Sequence, residues 1–144
     1  MTADHDALAF RLEAEVVALH DFIAAWFRGA LPKERALYER DFASRLAPAL
    51  VNIQPAGRVL SRADLLEPIF EAHGANPDFA ISIRDFRLVT VSAGGDLAVA
   101  TYVEDQKNAR NSTPPDNARR STVVFTLAGE RPLWLHLQET AATD

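Results

Sequence analysis

The last apolar stretch of the chain, LWLHLQET, contains a histidine that a β-strand would present to one face of a sheet. Because side chains alternate along a strand, His136 shares its predicted face with Trp134 and Gln138, whereas the leucines and Glu139 take the other face. If the first face lines a cavity, His136 is a candidate general base, and Gln138 and Trp134 are candidate ligand contacts. If the leucines cover the core instead, Trp134 and His136 look outward and indicate an interface. Alternation alone leaves both interpretations open.

A second group of candidates lies in LAVATYVED, where Tyr102 and Glu104 share a parity with Ala98 and Ala100. Small residues on a concave sheet face leave volume for a ligand, and a tyrosine and a carboxylate at the open end could hold its polar group. The same pattern also fits a flat face packed on another subunit. Tyr102 and Glu104 are therefore either candidate catalytic residues or interface residues.

The helical part of the chain offers three more candidates. His20 follows Val16 by four residues and lies on or beside an apolar stripe, so it is either a catalytic base or a histidine at the core edge bonded to a backbone carbonyl. Tyr38 and Asp41 are three residues apart and share one face of a predicted helix. They are candidates for ligand binding and catalysis, respectively, although the charge density of ERALYERDFASR also fits a solvated helix face.

Several other kinds of chemistry find no support in the sequence. The chain has no cysteine, which excludes a disulfide framework, a thiolate nucleophile and a cysteine zinc site. Its histidines lack the paired spacing of a metal site, and no serine lies in a nucleophile-elbow pattern. The SAGGD segment lacks the lysine and serine of a phosphate loop. We therefore expect neither a metal nor a cofactor.

Charge and hydropathy also limit the partners. The 144 residues carry a net charge of −5, which disfavours a nucleic-acid partner, and the basic pair Arg119 and Arg120 fits a solvated strand edge. The first residues lack a cationic segment before an apolar run, and no stretch approaches the length that a bilayer requires. We expect one domain over residues 1–144, located in the cytoplasm, without a membrane partner.

The first half of the chain has mainly helical periodicity. Residues 4–28 carry apolar side chains at steps of three and four, which predicts a long amphipathic helix. A second helix is predicted from Pro32 up to Pro48, followed by a small hairpin around a Pro-Ala-Gly turn. A third helix is predicted over residues 62–72, with Ser61 or Asp64 as its cap.

The second half alternates and predicts four strands, at residues 79–91, 97–104, 122–127 and 133–140. A change of parity indicates a bulge near Asp85. Residues 105–120 form a polar segment with two prolines, which fits either a mobile surface loop or a lid over a pocket. Together these elements predict an α+β domain in which three helices pack on one face of a curved antiparallel sheet and form a cone. The wide end of such a cone can hold a small ligand.

The order of elements resembles the nuclear-transport-factor-2-like superfamily, whose members share a cystatin-like cone, and in particular its SnoaL-like branch. Two segments carry the resemblance. LAPALVNIQPAGRVLSRADLLEPIFEAHG is similar to the family's strand, glycine turn, strand and helix start, and LWLHLQET is similar to its closing strand. The resemblance extends over residues 14–140. Because this superfamily includes isomerases, cyclases, dehydratases, binding domains and scaffolds, it implies a fold and leaves the reaction open.

Two functional hypotheses follow from the resemblance. The first is a small-molecule-binding cone that acts as a cofactor-independent isomerase, cyclase or hydrolase on an apolar carbonyl compound. In ketosteroid isomerases a tyrosine and an aspartate stabilise an enolate and move a proton, which is the role that Tyr38 and Asp41 would take. The second hypothesis is a non-catalytic homodimeric scaffold or binding domain that uses the sheet face as its interface. Many proteins with this cone dimerise through the sheet, so a homodimer is expected under both.

Overall fold

The computed structural model of the protein describes residues 3–143. Its helices are α1 (Ala3–Arg28), α2 (Arg35–Asp41) and α3 (Arg62–Glu71), with a short 3-10 helix at Ala43–Arg45. Six strands form one sheet, namely β1 (Leu46–Ile53), β2 (Val59–Ser61), β3 (Ala80–Val91), β4 (Leu97–Lys107), β5 (Asn117–Thr126) and β6 (Leu133–Ala141). The strand order is β2-β1-β6-β5-β4-β3, and every neighbouring pair is antiparallel except β1 with β6, which is parallel. The predicted α+β class is confirmed, although the curved sheet is mixed rather than purely antiparallel.

Helix α1 supplies one side of the core. Its apolar stripe buries Leu12, Val16 and Leu19 against the concave side of the sheet, as the spacing predicts. At its far end the Trp26 indole N–H donates to the carbonyl oxygens of Ile69 and Phe70 at 2.9 and 3.2 Å, which fastens α1 to α3. No helix within residues 3–143 is long and apolar enough to cross a bilayer.

The second helix is shorter than the sequence predicts. Helix α2 ends at Asp41, and Leu46 already begins β1. Pro48 therefore lies inside a strand instead of ending a helix. It is tolerated there because β1 and β6 lose register between Leu46 and Val51, so no ladder hydrogen bond requires its missing N–H.

Local signals elsewhere are confirmed. The Ser61 hydroxyl accepts from the Asp64 backbone N–H at 3.2 Å, and the Asp64 carboxylate accepts from the Ser61 N–H at 2.9 Å, which forms a capping box at the start of α3. The bulge near Asp85 is present, since the register of β3 with β4 shifts between Arg84 and Arg87 and Asp85 has a φ of 56°. The β4–β5 connection covers only residues 108–116 because both strands continue further than expected.

Strand β6 does not alternate evenly. Phe125 of β5 pairs with Trp134 and Val124 pairs with His136, so β6 has one extra residue at position 135. This bulge brings Trp134 to the same side as Leu137 and Glu139, the concave side that faces α1. We call this side the inner face of the sheet and the opposite side the outer face. The expectation that Trp134 shares a face with His136 and Gln138 is therefore wrong.

Candidate active site

A cavity of about 510 Å³ lies between the inner face of the sheet and helices α1 and α3. Its apolar wall comes from both layers, with Leu19, Ile23, Phe27, Leu65, Ile69, Leu50, Leu60, Ile81 and Leu137 among its members. Residues 109–112 of the β4–β5 connection also border it, which places that loop where the lid interpretation requires it. A cavity of this size and composition is typical of small-molecule sites.

One wall of the cavity is polar. A row of side chains crosses four adjacent strands of the inner face, with Asn52 on β1, Glu139 on β6, Arg119 on β5, and Glu104 and Gln106 on β4. We call these five residues the polar row. Arg119 lies directly opposite Glu104 in the β4–β5 pairing, so the charges alternate along the row. His20 reaches the row from α1.

His20 and Glu104 form a buried pair. The His20 Nε2 lies 3.2 Å from Glu104 Oε1, and the two side chains are 5% and 6% exposed. The other ring nitrogen, Nδ1, lies 2.7 Å from the Val16 carbonyl oxygen, which can only accept, so Nδ1 carries a proton. A second proton must then lie between Nε2 and Oε1, because a bare nitrogen lone pair would otherwise face a carboxylate. The pair therefore holds one exchangeable proton in a buried site.

The charges of the pair stabilise each other. Burial alone would lower the pKa of His20, but the negative charge and hydrogen bond of Glu104 outweigh it, and the pKa is raised above 6.5. Burial alone would raise the pKa of Glu104, but the charge of His20 and hydrogen bonds from His20 and Gln106 lower it below 4.5. Both pKa shifts favour an imidazolium beside a carboxylate.

The pKa of a second carboxyl group in the row, that of Glu139, is shifted in the opposite direction from that of Glu104. Glu139 accepts from Arg119 Nη1 at 3.2 Å and from Asn52 Nδ2 at 3.1 Å. Burial and the nearby charge of Glu104 nevertheless raise the pKa of Glu139 above 4.5, against the opposing effects of Arg119 and Asn52. A carboxylate with a raised pKa is a stronger base than an exposed one. Carboxyl groups with unlike proton affinities in one cavity are suited to acid–base chemistry.

Aromatic rings surround the pair. The His20 ring lies edge-on to Tyr102 at 5.5 Å and to Trp134 at 6.0 Å between centroids. Burial and the charges of Glu104 and Glu139 raise the pKa of Tyr102 well above 10, so its hydroxyl stays protonated. The Trp134 indole N–H donates to Glu15 Oε2 at 3.0 Å, and Arg45 donates to Glu15 Oε1 at 2.6 Å. The indole position is thus fixed from α1.

The structure brings some of the candidate residues together and separates others. His20, Tyr102, Glu104 and Trp134 lie at the polar end of the cavity or directly beside it. Four others lie elsewhere, namely Tyr38, Asp41, His136 and Gln138. The catalytic and binding roles assigned to these eight residues stay predictions.

Each separated residue has its own surroundings. Tyr38 is buried among aromatic rings and donates to the Leu66 carbonyl at 2.6 Å, so it belongs to the core. Asp41 accepts from Arg40 at 3.0 Å near the surface, and this ion pair lowers its pKa. His136 is half-buried and Gln138 is exposed, both on the outer face.

Several residues of the polar row do not stand out in the sequence. Asn52 and Gln106 are ordinary amides in strands, and Arg119 lies in the segment that reads as a loop. Glu139 does give a signal, because it occupies the fourth position of an otherwise leucine-only face in residues 133–140. A carboxylate that continues an apolar face is a candidate for burial. Within residues 3–143 no group of three or more His, Asp or Glu residues could hold a metal ion.

Comparison with known proteins supports the fold. No protein-family model and no curated protein matches the chain. Among solved structures, an NTF-2-like protein of unknown function from Pseudomonas aeruginosa is 29% identical, with a TM-score of 0.75 over 94% of this chain and 99% of that one. A candidate dehydratase of the NTF2-like family from Streptomyces avermitilis is 15% identical, with a TM-score of 0.70 over 99% of this chain and 100% of that one.

A third neighbour is the association domain of the calmodulin-dependent kinase CaMKII from Caenorhabditis elegans. It is 12% identical, with a TM-score of 0.69 over 96% of this chain and 99% of that one. The neighbours differ in described function and agree in architecture. The chain therefore has the NTF2-like, cystatin-like fold, and the resemblance to that superfamily seen in its sequence is confirmed.

Proposed function

We propose that this protein binds a small, mainly apolar ketone in the cavity and transfers protons at the polar row without a cofactor. The observation that carries the proposal is the buried His20–Glu104 pair, which holds one proton in the wall of an apolar cavity. Burying an ion pair costs desolvation free energy unless the geometry is good and further hydrogen bonds stabilise both charges. The proposal agrees with an isomerase, cyclase or hydrolase of the SnoaL-like kind, acting on an apolar carbonyl compound.

The residues divide into an acid and a base. Glu139 is the base that takes a proton from the carbon next to the carbonyl group. The electron pair of that C–H bond moves into a new C=C bond, the π pair of the C=O bond moves to oxygen, and this oxygen receives the proton held between His20 and Glu104. Return of a proton from Glu139 to the same carbon, with loss of the hydroxyl proton to the His20–Glu104 pair, regenerates the ketone. The apolar wall excludes water, which strengthens these electrostatic interactions.

Deuterium exchange tests this chemistry. We expect the protein to speed the exchange of the α-protons of 2-decalone into D₂O, measured by proton NMR. Glu139→Gln removes the base and should reduce the protein-catalysed rate by about 100-fold or more. His136→Gln on the outer face should leave the rate unchanged. An exchange rate equal to that in buffer would contradict the catalytic part of the proposal.

Binding is tested separately by blocking the cavity. Ala72 lines the cavity beside α3, so Ala72→Trp should reduce 2-decalone binding in a calorimetric titration. Ala128→Trp is the matched control, because Ala128 is exposed in the β5–β6 turn. Equal binding by both variants would show that the ligand lies elsewhere.

A homodimeric scaffold is the second candidate function. The outer face carries an apolar patch with Leu97, which is 38% exposed, and the half-buried residues Val99 and Val124 beside His136. Apolar outer surfaces of this kind favour a protein partner. Solved neighbours described as association or hub domains share the fold. Sedimentation that finds a monomer at micromolar concentration would contradict this candidate, whereas a dimer is compatible with both.

A further inference from the structure

The two amides of the polar row have their orientation determined by their neighbours. Gln106 Nε2 donates to Glu104 Oε2 at 2.7 Å. Asn52 Nδ2 donates to Glu139 Oε2 and to the Leu137 carbonyl, both at 3.1 Å. Turning either amide around would place its oxygen against a carboxylate oxygen, which repels it. Each amide therefore uses its NH₂ group on the protein and keeps its oxygen for another donor.

Neither amide oxygen accepts a hydrogen bond within residues 3–143. Both residues line the cavity and are almost fully buried, at 4% exposure for Asn52 and 7% for Gln106. Neither oxygen is fully enclosed by protein. Among the described residues, the fully enclosed side-chain polar atoms that lack a partner belong to Asn76, Tyr102 and Ser121. An amide oxygen that is exposed to the cavity and has no partner in the protein can accept a hydrogen bond from a bound ligand.

The remaining groups of the row do not supply that donor. The carboxylates of Glu104 and Glu139 only accept, and the Arg119 guanidinium is directed to Glu139 at 3.2 Å. The two amide oxygens are thus acceptors that receive no hydrogen bond from the other residues of the row. A ligand that also offers only acceptors, such as a simple ketone or a carboxylate, leaves both amide oxygens unpaired.

We propose that the amide oxygens of Asn52 and Gln106 are subsites for a hydroxyl group of the ligand. This inference rests on the proposed function, because it specifies the compound bound in the same cavity. The ligand class is then a hydroxylated apolar ketone, whose carbonyl group meets the acid and base while a hydroxyl on its ring system donates to an amide oxygen.

Matched ketones test the inference. Calorimetric titration compares 2-decalone with 6-hydroxy-2-decalone and with 6-methoxy-2-decalone, which keeps the oxygen and removes the donor. We expect the hydroxylated ketone to bind about 3- to 10-fold more tightly than the other two, the range for one neutral hydrogen bond. Gln106→Met or Asn52→Leu should abolish this preference in at least one case, while the exposed control Gln138→Leu should retain it. Thermal unfolding of each variant verifies that it is folded.

The outcomes separate this inference from the proposed function. If the three ketones bind equally to the wild-type protein, or if the hydroxyl preference persists in both cavity variants, the hydroxyl subsite is wrong while the cavity still binds ketones. If none of the ketones binds, the proposed function itself is wrong.

Discussion

Adjacent residues on the inner and outer faces of β6 differ in burial and in hydrogen-bond partners. Glu139 on the inner face is 7% exposed, is held by Asn52 and Arg119, and has a raised pKa. Gln138, its neighbour on the outer face, is exposed. The same contrast separates two histidines, since His20 is enclosed by a carboxylate and aromatic rings, whereas His136 lies half-buried outside the cavity.

This contrast shows that a polar residue becomes a candidate catalyst through its surroundings. His136 has a suitable side chain but lies outside the cavity. His20 lies in a helix stripe, where a structural role is the simpler explanation, yet it meets Glu104 from the sheet.

Removing Glu104 should have the largest effect on stability. Glu104→Ala leaves the His20 ring buried without its carboxylate, and loss of one partner of a buried pair costs about 3–5 kcal/mol in free energy of unfolding. Glu130→Ala removes a carboxylate from the exposed β5–β6 turn and should change stability by less than about 0.5 kcal/mol. Urea unfolding measures both. Similar small losses for the two variants would contradict the difference between the inner face and the surface.

The anchor of Trp134 should have the next largest effect. Glu15→Gln removes the charge that accepts hydrogen bonds from Trp134 and Arg45 but keeps one acceptor oxygen, so we expect a loss of about 1.5–3 kcal/mol, the contribution of one hydrogen bond to a charged group. Glu13→Gln is the matched control, because Glu13 is exposed on the same helix. Urea unfolding monitored by tryptophan fluorescence should show a loss for the first variant only. An equal response would mean that Glu15 does not hold the indole.

The buried pair also predicts a pH dependence of stability. The pKa of His20 is raised in the folded state, so its stabilisation is complete below pH 6.5 and is lost as the pH rises through the folded-state pKa. The pKa of Glu104 is lowered, so its stabilisation is complete above pH 4.5 and is lost as the pH falls through the lowered value. The pKa of Glu139 is raised, so its contribution to stability is complete below pH 4.5 and is lost as the pH rises through its folded-state pKa.

The double variant His20→Leu/Glu104→Leu checks that dependence. It lacks both members of the pair, so its free energy of unfolding should vary less with pH than that of the wild-type protein. Urea unfolding at a series of pH values measures this. Parallel curves for the two proteins would show that other groups cause the dependence.

Substitutions on the outer face should have the smallest effects. His136→Ala and Gln138→Leu should each change the free energy of unfolding by less than about 0.5 kcal/mol, because neither residue has a role in the core. Both variants should also bind 2-decalone as the wild-type protein does, by calorimetry. Weaker binding by either variant would indicate that the outer face takes part in ligand binding.

Features that depend on neighbouring residues in the chain could be predicted from the sequence. Local residue spacing predicts the apolar stripe of α1, the cap of α3 at Ser61 and the bulge near Asp85. The order of the helices and strands resembles that of the NTF2-like superfamily, and this resemblance is confirmed. Pairing between distant segments could not be predicted in the same way. The end of α2 depends on Leu46 joining β1 beside β6, and neither strand indicates the other in the sequence.

The candidate site shows the same division. Tyr102 and Glu104 share a face because of simple alternation, which the sequence does predict. The bulge at position 135 depends on how β6 pairs with β5, and it moves Trp134 to the inner face. Arg119 joins the row only because β5 begins earlier than its apolar residues indicate. One extra residue in a strand was enough to place Trp134 and His136 on opposite faces of the sheet.

An NMR titration of the isotope-labelled protein with 2-decalone tests most directly whether the cavity is the functional site. We expect chemical-shift changes for the Trp134 indole N–H, for Leu137 and for the His20 ring, which line the cavity, with His136 and Gln138 unchanged. Changes confined to the outer face, or no change at saturating ketone, would contradict the claim that the cavity and its polar row are the functional site.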